Sequence, residues 1–434
     1  MRPFRHELLL DRGAVLFDPH QIVGIAQRAA HFTLFLIGFP DSAQVRRRLR
    51  QRGRSEQQRE KTHNRSFSHS ESVSQILSLK ADSLYNAPVK LGIALAPIAL
   101  GLAIPLSFAA SDGSSVQRLN AGFDAIAPSN VQIERVATGF DKWTEGPVWV
   151  HAGYLLFSEI PANSIRKWVP GSEATVFIHP SGYLGTAPFK GPESGSNGLT
   201  LDSHGRLTVA GHARRNIWRL EKMDGHAQIT VLADTYEGKR LNSPNDLVYR
   251  SDGSLYFTDP PYGLVTQSEK DPARELSFNG VYRIAGATSH KPGAPPDHSK
   301  LQLIIKDLPR PNGIAFSPDG KYLYVNSSEP RKFWMRYNVK PDGSVYGGKV
   351  FFDATSDNRP GAPDGMKVDQ KGNVYSAAPG GVWVFSPAGV HLGTFHLPER
   401  VGNLTWGDAD GKSLYVTAST SIYRIKLKIP GVRP

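Results

Sequence analysis

The sequence contains no cysteine. It therefore cannot form a disulfide framework, a thiolate metal site or a cysteine nucleophile. A Gly-x-Ser-x-Gly nucleophile elbow and a His-x-x-x-His zinc pattern are also absent from the 434 residues. Nothing in the sequence suggests a covalent nucleophile, and the sequence patterns typical of a zinc site are missing.

The positive charge of the chain is concentrated at its N-terminal end. The formal net charge is +12, and residues 1–110 carry 15 Lys and Arg against 8 Asp and Glu. The remaining 324 residues carry 36 Lys and Arg against 31 Asp and Glu. This small excess of positive charge does not predict a nucleic-acid partner for the main part of the chain.

Residues 1–85 have a low-complexity composition. They include the basic and polar run RRRLRQRGRSEQQREKTHNR at residues 46–65, which cannot bury enough apolar surface to order itself. Two interpretations are open: a disordered segment, or an upstream extension that the natural protein lacks because translation starts near residues 73–80.

Residues 86–110 resemble a secretory signal peptide. An apolar run without charge ends in the small residues Ser107 and Ala109, which a signal peptidase reads, so cleavage is expected near Ala109. The run is also long enough to span a bilayer, but Pro97 and Pro105 favour a cleaved signal. We expect an exported protein, periplasmic or secreted, without a stable membrane partner once the signal is removed.

Six stretches of the chain beyond residue 128 repeat one pattern. Each begins with an acid or an amide, continues with a short apolar run, has a glycine eight residues after its first residue, and then enters a second apolar run. This pattern predicts a β-hairpin with the glycine at a positive φ. The six stretches begin at Glu145, Asn197, Asn245, Asn312, Asp364 and Asn403.

Further strand candidates lie between the hairpins, which gives about four strands in each repeat. The sequence therefore predicts an all-β fold, a six-bladed β-propeller with four-stranded blades, over residues 128–430. Residues 131–138 are expected to supply a strand to the last blade and close the ring. A pair of β-sandwiches or a parallel β-helix is the alternative, and six hairpins in phase disfavour both.

The six leading residues are expected to converge at one mouth of the central channel, because each precedes the innermost strand of its blade. All of them carry side-chain oxygen atoms. Two carboxylates and several amide oxygens suit a hard divalent cation, calcium foremost. The alternative is that Asn, Asp and Gly only form turns before strands.

The chain resembles the gluconolactonase / senescence-marker-protein / luciferin-regenerating-enzyme-like family of six-bladed propellers. The resemblance covers about residues 130–428. Four motifs carry it together: EGPVW (145–149), LNSPNDLVYRSDGSLYFTDPPYG (241–263), PNGIAFSPDGKYLYV (311–325) and PDGMKVD (363–369).

The resemblance implies a site for one divalent cation, most simply Ca²⁺, held by Glu145, Asn312 and Asp364. Asp364 is also implied as the general base that takes a proton from water. Asn245 corresponds to a further asparagine of the family near the metal and the substrate, and we expect it to take part in catalysis and substrate binding. Asn197 either lines the site or shapes a turn.

The implied activity is hydrolysis of a lactone, such as the sugar lactone gluconolactone, with the carbonyl polarised by the cation and a water activated beside it. A related metal-dependent ester or phosphotriester hydrolase is an alternative. So is a calcium-stabilised propeller that binds a ligand without catalysis, since a fold alone does not give a function. The expected partner is a small-molecule lactone, and the oligomeric state stays open.

Three further residues are candidates for substrate binding. His212 and Arg214 follow the second hairpin and are expected either to contact a sugar hydroxyl or a carboxylate product, or to lie on a solvated loop. Tyr262 is expected either to line the channel mouth or to fix a proline-rich turn.

Overall fold

The structure, a computed structural model, describes residues 113–224 and 228–434. The predictions for residues 1–85 and 86–110 lie outside these ranges. Helical structure in the described residues is limited to four short 3₁₀ turns, Ala121–Ala125, His212–Arg214, Ala287–Ser289 and His298–Lys300. None of the described helices has the length and apolar character needed to cross a bilayer.

Six antiparallel sheets follow one another along the chain, which confirms the predicted six-bladed propeller. The first three blades each contain four strands in chain order. Blade 1 consists of Thr144–Val150, Tyr154–Glu159, Ser164–Trp168 and Thr175–Ile178. Blade 2 consists of Leu199–Leu201, Leu207–Gly211, Asn216–Leu220 and Ile229–Ala233. Blade 3 consists of Leu247–Tyr249, Leu255–Asp259, Gly280–Ile284 and Leu301–Ile305.

The other blades follow the same plan. Blade 4 consists of Pro311–Phe316, Tyr322–Ser327, Phe333–Val339 and Val345–Asp353. Blade 5 has Met366–Val368, Val374–Ala378, Gly381–Phe385 and His391–His396. Blade 6 has Val401–Gly407, Ser413–Ala418 and Ser421–Lys426. A small ribbon, Thr235–Tyr236 paired with Lys239–Arg240, connects blades 2 and 3.

The N-terminal part of the described chain completes the last two blades. Ile133–Thr138 pairs antiparallel with Ser421–Lys426 as the fourth strand of blade 6, so the predicted closure of the ring is confirmed. Ser115–Arg118 adds a fifth strand to blade 5 by pairing with His391–His396, which the repeats did not predict. Both pairings cover sheet edges that would otherwise be exposed.

The hydrophobic core is divided into six clusters, one between each pair of neighbouring blades, including blades 6 and 1. Each sheet is therefore buried on both faces, and its strands read as continuous apolar runs. Tyr256 and Phe257 show the consequence, because successive side chains point to opposite faces. Tyr256 packs toward blade 4 and Phe257 packs toward blade 2.

The hairpin turns have the predicted conformation. The six turn glycines all adopt a positive φ, as the pattern required: Gly153, Gly205, Gly253, Gly320, Gly372 and Gly411.

Candidate active site

Five of the six leading residues line one cavity of about 890 Å³ at the channel mouth. Each lies at the start of the innermost strand of its blade, or just before it, so the near-sixfold arrangement brings five blades to the same point. Four are buried, whereas Asp364 is partly exposed to the cavity. The five are Glu145, Asn197, Asn245, Asn312 and Asp364.

Hydrogen bonds between blades hold these residues in place. A polar residue on the second strand of one blade donates to the backbone carbonyl of the leading residue of the next. Ser158 Oγ donates to Asn197 O at 2.7 Å, and Thr258 Oγ1 donates to Asn312 O at 2.7 Å. The main chains of Asn197 and Asn312 are therefore fixed while their side chains stay available to the cavity.

Close packing of the blades explains why glycine follows so many of the leading residues. A Cβ atom on Gly146 would lie closer than 3.0 Å to Asn197 O, and one on Gly313 would lie closer than 3.0 Å to Asp364 O. Real Cβ atoms essentially never come this close to such a neighbour. The glycines therefore let the innermost strands approach closely enough for the leading side chains to share one site.

This packing makes a prediction about Gly313. In Gly313→Ala the Asp364 backbone has to move, so we expect stability to fall by about 1–3 kcal/mol, as in overpacked cores, and the affinity for any divalent cation that the cavity binds, tested with calcium, to fall at least tenfold. Calcium titration calorimetry and chemical denaturation measure the two effects. Gly153→Ala is the matched control, because Gly153 has a positive φ but no atom within 4 Å of a Cβ. It should cost stability alone, and equal losses of calcium affinity would contradict the argument.

The two carboxylates of the cavity are held in unfavourable surroundings. Burial and the nearby charges of Asp246 and Glu193 raise the pKa of Glu145 to about 8, although Gly146 N–H donates to Glu145 Oε2 at 3.0 Å. Burial and the charges of Glu145 and Asp246 raise the pKa of Asp364 well above its ordinary value. In the described part of the chain, neither carboxylate forms a salt bridge with a Lys, Arg or His side chain.

Two amide oxygens in the same cavity also lack partners. Among residues 113–224 and 228–434, Asn197 Oδ1 and Asn312 Oδ1 are buried without a hydrogen bond, whereas Asn312 Nδ2 donates to Ser328 Oγ at 2.9 Å. The Ser328 bond fixes the Asn312 amide with its oxygen free. Buried polar atoms normally have partners, so these oxygens and the two unpaired carboxylates fit a hard divalent cation.

The described residues contain no cluster of three or more His, Cys, Asp and Glu side chains that could hold a metal ion. The donor set that fits a cation here therefore depends on amide oxygens as much as on carboxylates. Such a set favours calcium or magnesium over zinc or copper.

The Asn-Asp pair of the third repeat has two separate environments. Asn245 lines the cavity, whereas Asp246 is buried and accepts hydrogen bonds from Leu247 N at 2.9 Å and Ile314 N at 3.4 Å. Burial raises the pKa of Asp246, and the Lys367 ammonium opposes this shift. Asp246 therefore ties blade 3 to blade 4 while Asn245 remains available for a ligand.

Asn403, the sixth leading residue, does not line the cavity. Its Oδ1 accepts a hydrogen bond from Leu404 N at 2.8 Å, and its side chain also hydrogen-bonds Glu145. It therefore supports Glu145 from behind the cavity.

The three other candidates lie in different places. Tyr262 lines the cavity, with the Arg310 guanidinium 5.4 Å from its ring centroid. His212 is fully buried and does not line it, but its Nε2 lies 2.7 Å from Oε2 of Glu193, which does. Arg214 lines a separate cavity of about 360 Å³.

Glu193 and Arg400 also line the cavity, but the repeat pattern did not predict them as site residues. Glu193 lies in the long loop between blades 1 and 2, which has no counterpart in the other repeats. Arg400 precedes blade 6, stacks on Trp143 at 5.2 Å from the ring centroid, and lowers the pKa of Asp364. Only the folded chain brings these two residues to the site.

Comparison with known proteins identifies the family of the chain. Residues 143–420 match a family model described as the SMP-30/Gluconolactonase/LRE-like region. The chain is 37% identical over 331 residues to the gluconolactonase of Zymomonas mobilis, covering 73% of this chain and 87% of the relative. It is 30% identical to a gluconolactonase structure from Xanthomonas campestris, with a TM-score of 0.59 over 72% of this chain and 95% of that one.

A more distant structure shares the fold. Regucalcin from Agrobacterium tumefaciens, described as a calcium-binding protein, is 18% identical with a TM-score of 0.53. The alignment covers 70% of this chain and 97% of that structure.

Proposed function

Because the chain belongs to the SMP-30/gluconolactonase/LRE-like family, we propose that it hydrolyses a sugar lactone in the cavity at the channel mouth and depends on one divalent cation, most simply Ca²⁺. The observation that carries this proposal is the donor set. In the described residues, two carboxylates without a salt bridge, the buried Glu145 and the partly exposed Asp364, and two unpartnered amide oxygens face one cavity. The gluconolactonase relatives support the substrate class.

The cation would be held by Glu145, Asn312 and Asp364. When bound, it would polarise the lactone carbonyl and offset the charges of the carboxylates. Asn197 Oδ1, which also lacks a partner, is available as a further oxygen donor to the cation or to a water. A purely structural ion would not need a cavity of this size open to solvent.

Asp364 is the residue we assign as general base. It is partly exposed to the cavity, and no group in the described residues donates a hydrogen bond to its carboxylate oxygens. A water that attacks the lactone carbonyl can therefore give its proton to Asp364. Asn245 and Tyr262 line the same cavity and would orient the hydroxyl groups of the sugar.

Hydrolysis of D-glucono-1,5-lactone by the purified full chain tests the proposal. We expect acid release above the spontaneous rate with calcium and its loss with excess chelator, measured by pH-stat titration. Circular dichroism and calcium binding must show that the protein is folded and loaded. A folded, calcium-loaded protein without a rate above background would remove this lactone as the substrate. In that case a panel of other lactones, aryl esters and phosphotriesters would separate another hydrolase from a binding protein.

A further inference from the structure

The environment of His212 fixes one of its protons. Its Nδ1 lies 3.1 Å from the Pro244 carbonyl oxygen. A carbonyl oxygen only accepts hydrogen bonds, so Nδ1 must carry a proton and donate it. Gly263 packs directly against the imidazole, because a Cβ on Gly263 would lie 2.7 Å from His212 Cδ2. The ring is therefore held in this orientation.

A second proton has to lie between His212 and Glu193. His212 Nε2 and Glu193 Oε2 are 2.7 Å apart, the separation of a charge-assisted hydrogen bond. Since Nδ1 already has a proton, a neutral imidazole would present a bare Nε2, and a carboxylate offers no proton to it. The pair must therefore hold one more proton than a neutral histidine and a carboxylate, as imidazolium with carboxylate or as imidazole with carboxylic acid.

The pair extends from the protein interior to the cavity. His212 is fully buried, whereas the Glu193 side chain is 19% exposed and lines the cavity. Gln267 Nε2 donates to Glu193 Oε1 at 2.8 Å and to Tyr262 O at 3.0 Å, so the carboxyl plane is fixed from the other side. The Glu193 charge acts on Glu145 and Asp364 across the cavity. The other charged side chains that line the cavity are Asp141, Lys142, Arg310, Glu329, Lys332 and Arg400.

We propose that Glu193 and His212 form a proton-donating pair, in which Glu193 protonates the ring oxygen that leaves when the lactone opens. This inference rests on the proposed lactone hydrolysis. Water forms the new bond to the carbonyl carbon and gives its proton to Asp364. The ring C–O bond then breaks, its electron pair stays on the ring oxygen, and Glu193 supplies the proton that makes this oxygen a hydroxyl group.

The assignment separates acid from base within one cavity. Asp364 has no proton donor on its carboxylate and acts as base, whereas the Glu193–His212 pair holds an extra proton and acts as acid. The proton that Asp364 takes up returns to the pair through solvent, so lactone and water yield a hydroxy acid without any other reactant. His212 does not touch the substrate and is a positioning residue that shares the extra proton with Glu193 across their hydrogen bond.

The test compares two lactones with different leaving groups. An aliphatic sugar lactone releases a poor alkoxide leaving group, whereas dihydrocoumarin, an aryl lactone, releases a phenoxide that needs little protonation. In Glu193→Gln we expect kcat for gluconolactone to fall about 100-fold or more, within the range for a lost general acid. For dihydrocoumarin we expect a loss of less than about fivefold. His212→Asn should show the same selective loss.

A structural role would lower both rates equally, and that result would overturn the proposal. Glu329→Gln is the matched control. Glu329 is another carboxylate at the cavity rim, but its partner is Arg310, whose guanidinium holds its protons permanently and cannot pass one to the carboxylate. It should not alter the ratio of the two rates. Calcium titration must show that the Glu193 variant still binds the cation.

A measurement that does not depend on activity distinguishes a failure of the Glu193–His212 pair from a failure of the proposed lactone hydrolysis. In ¹⁵N-histidine spectra of the full chain at neutral pH, the signal that His212→Asn removes should show a proton on Nδ1 and an Nε2 that shares a proton with Glu193, either as N–H or as the acceptor of a hydrogen bond from the carboxyl group, and Glu193→Gln should abolish this state. A wild type inactive on both lactones would overturn the proposed function, and the proposed acid role would fall with it. Active wild type with a singly protonated His212 and ionised Glu193 would overturn the pair alone.

Discussion

Asp364→Asn is expected to lower kcat for lactone hydrolysis by about 10²–10⁴-fold at saturating calcium, the range for a lost general base. Asparagine keeps the size of the side chain and an oxygen that can contact the cation, but it cannot accept the proton of the attacking water. The measurement is the initial rate on gluconolactone over a calcium titration. A rate that recovers fully at high calcium would show that Asp364 is only a ligand.

The control for this variant is Asp369→Asn, a change of the same kind five residues further along blade 5. Asp369 is buried away from the cavity and accepts hydrogen bonds from Asn373 Nδ2 at 2.8 Å and Tyr375 Oη at 3.0 Å. Its replacement should lower Tm without lowering kcat. A comparable loss of kcat in both variants would mean that the Asp364 effect arises from disruption of blade 5.

Much of the fold was predictable because its information is local and repeated. A glycine eight residues after an acid or an amide specified each turn, and five leading residues converge on one cavity because the blades are arranged in a ring. The closing strand Ile133–Thr138 also followed from the strand pattern. By contrast, Ser115–Arg118 pairs with His391–His396, about 280 residues away in sequence, and no local pattern predicts that pairing.

The candidate site was predictable only where it follows the repeat. Glu145, Asn312 and Asp364 occupy equivalent positions in their blades, so their phase brought them together. Glu193 reaches the cavity from an irregular loop, and His212 reaches it only through Glu193. The sequence placed His212 near the site without indicating its partner, because hydrogen bonds between loops of different blades leave no periodic signal.

The second large effect concerns the stability of the calcium-free protein. The pKa of Glu145 is about 8 in the folded chain, against an ordinary 4.5 when the chain is unfolded. The folded state therefore binds a proton more tightly than the unfolded state. This contribution to stability is complete below pH 4.5 and is lost as pH rises through 8. With chelator present, we expect Tm to fall between pH 6 and pH 9, with a loss of free energy of unfolding of roughly 3 kcal/mol over this interval, out of roughly 5 kcal/mol over the whole range from below pH 4.5 to above pH 8.

Calcium is expected to cancel this loss. A cation in the proposed site would contact the ionised carboxylate, so its affinity should rise with pH up to about 8, and binding at pH 7 should release protons. Titration calorimetry in buffers of different ionisation enthalpy measures this release, and thermal unfolding at pH 9 with calcium should restore Tm through mass action.

Glu145→Gln tests whether the same carboxylate causes the loss of stability at high pH and binds calcium. The amide does not titrate, so the calcium-free variant should lose less Tm between pH 6 and pH 9 than the wild type while binding calcium at least tenfold more weakly. An unchanged pH dependence would assign the proton to another group. Unchanged calcium affinity would remove Glu145 from the site. A flatter pH dependence together with weaker binding would show that the carboxylate that destabilises the empty cavity is also the one that binds the cation.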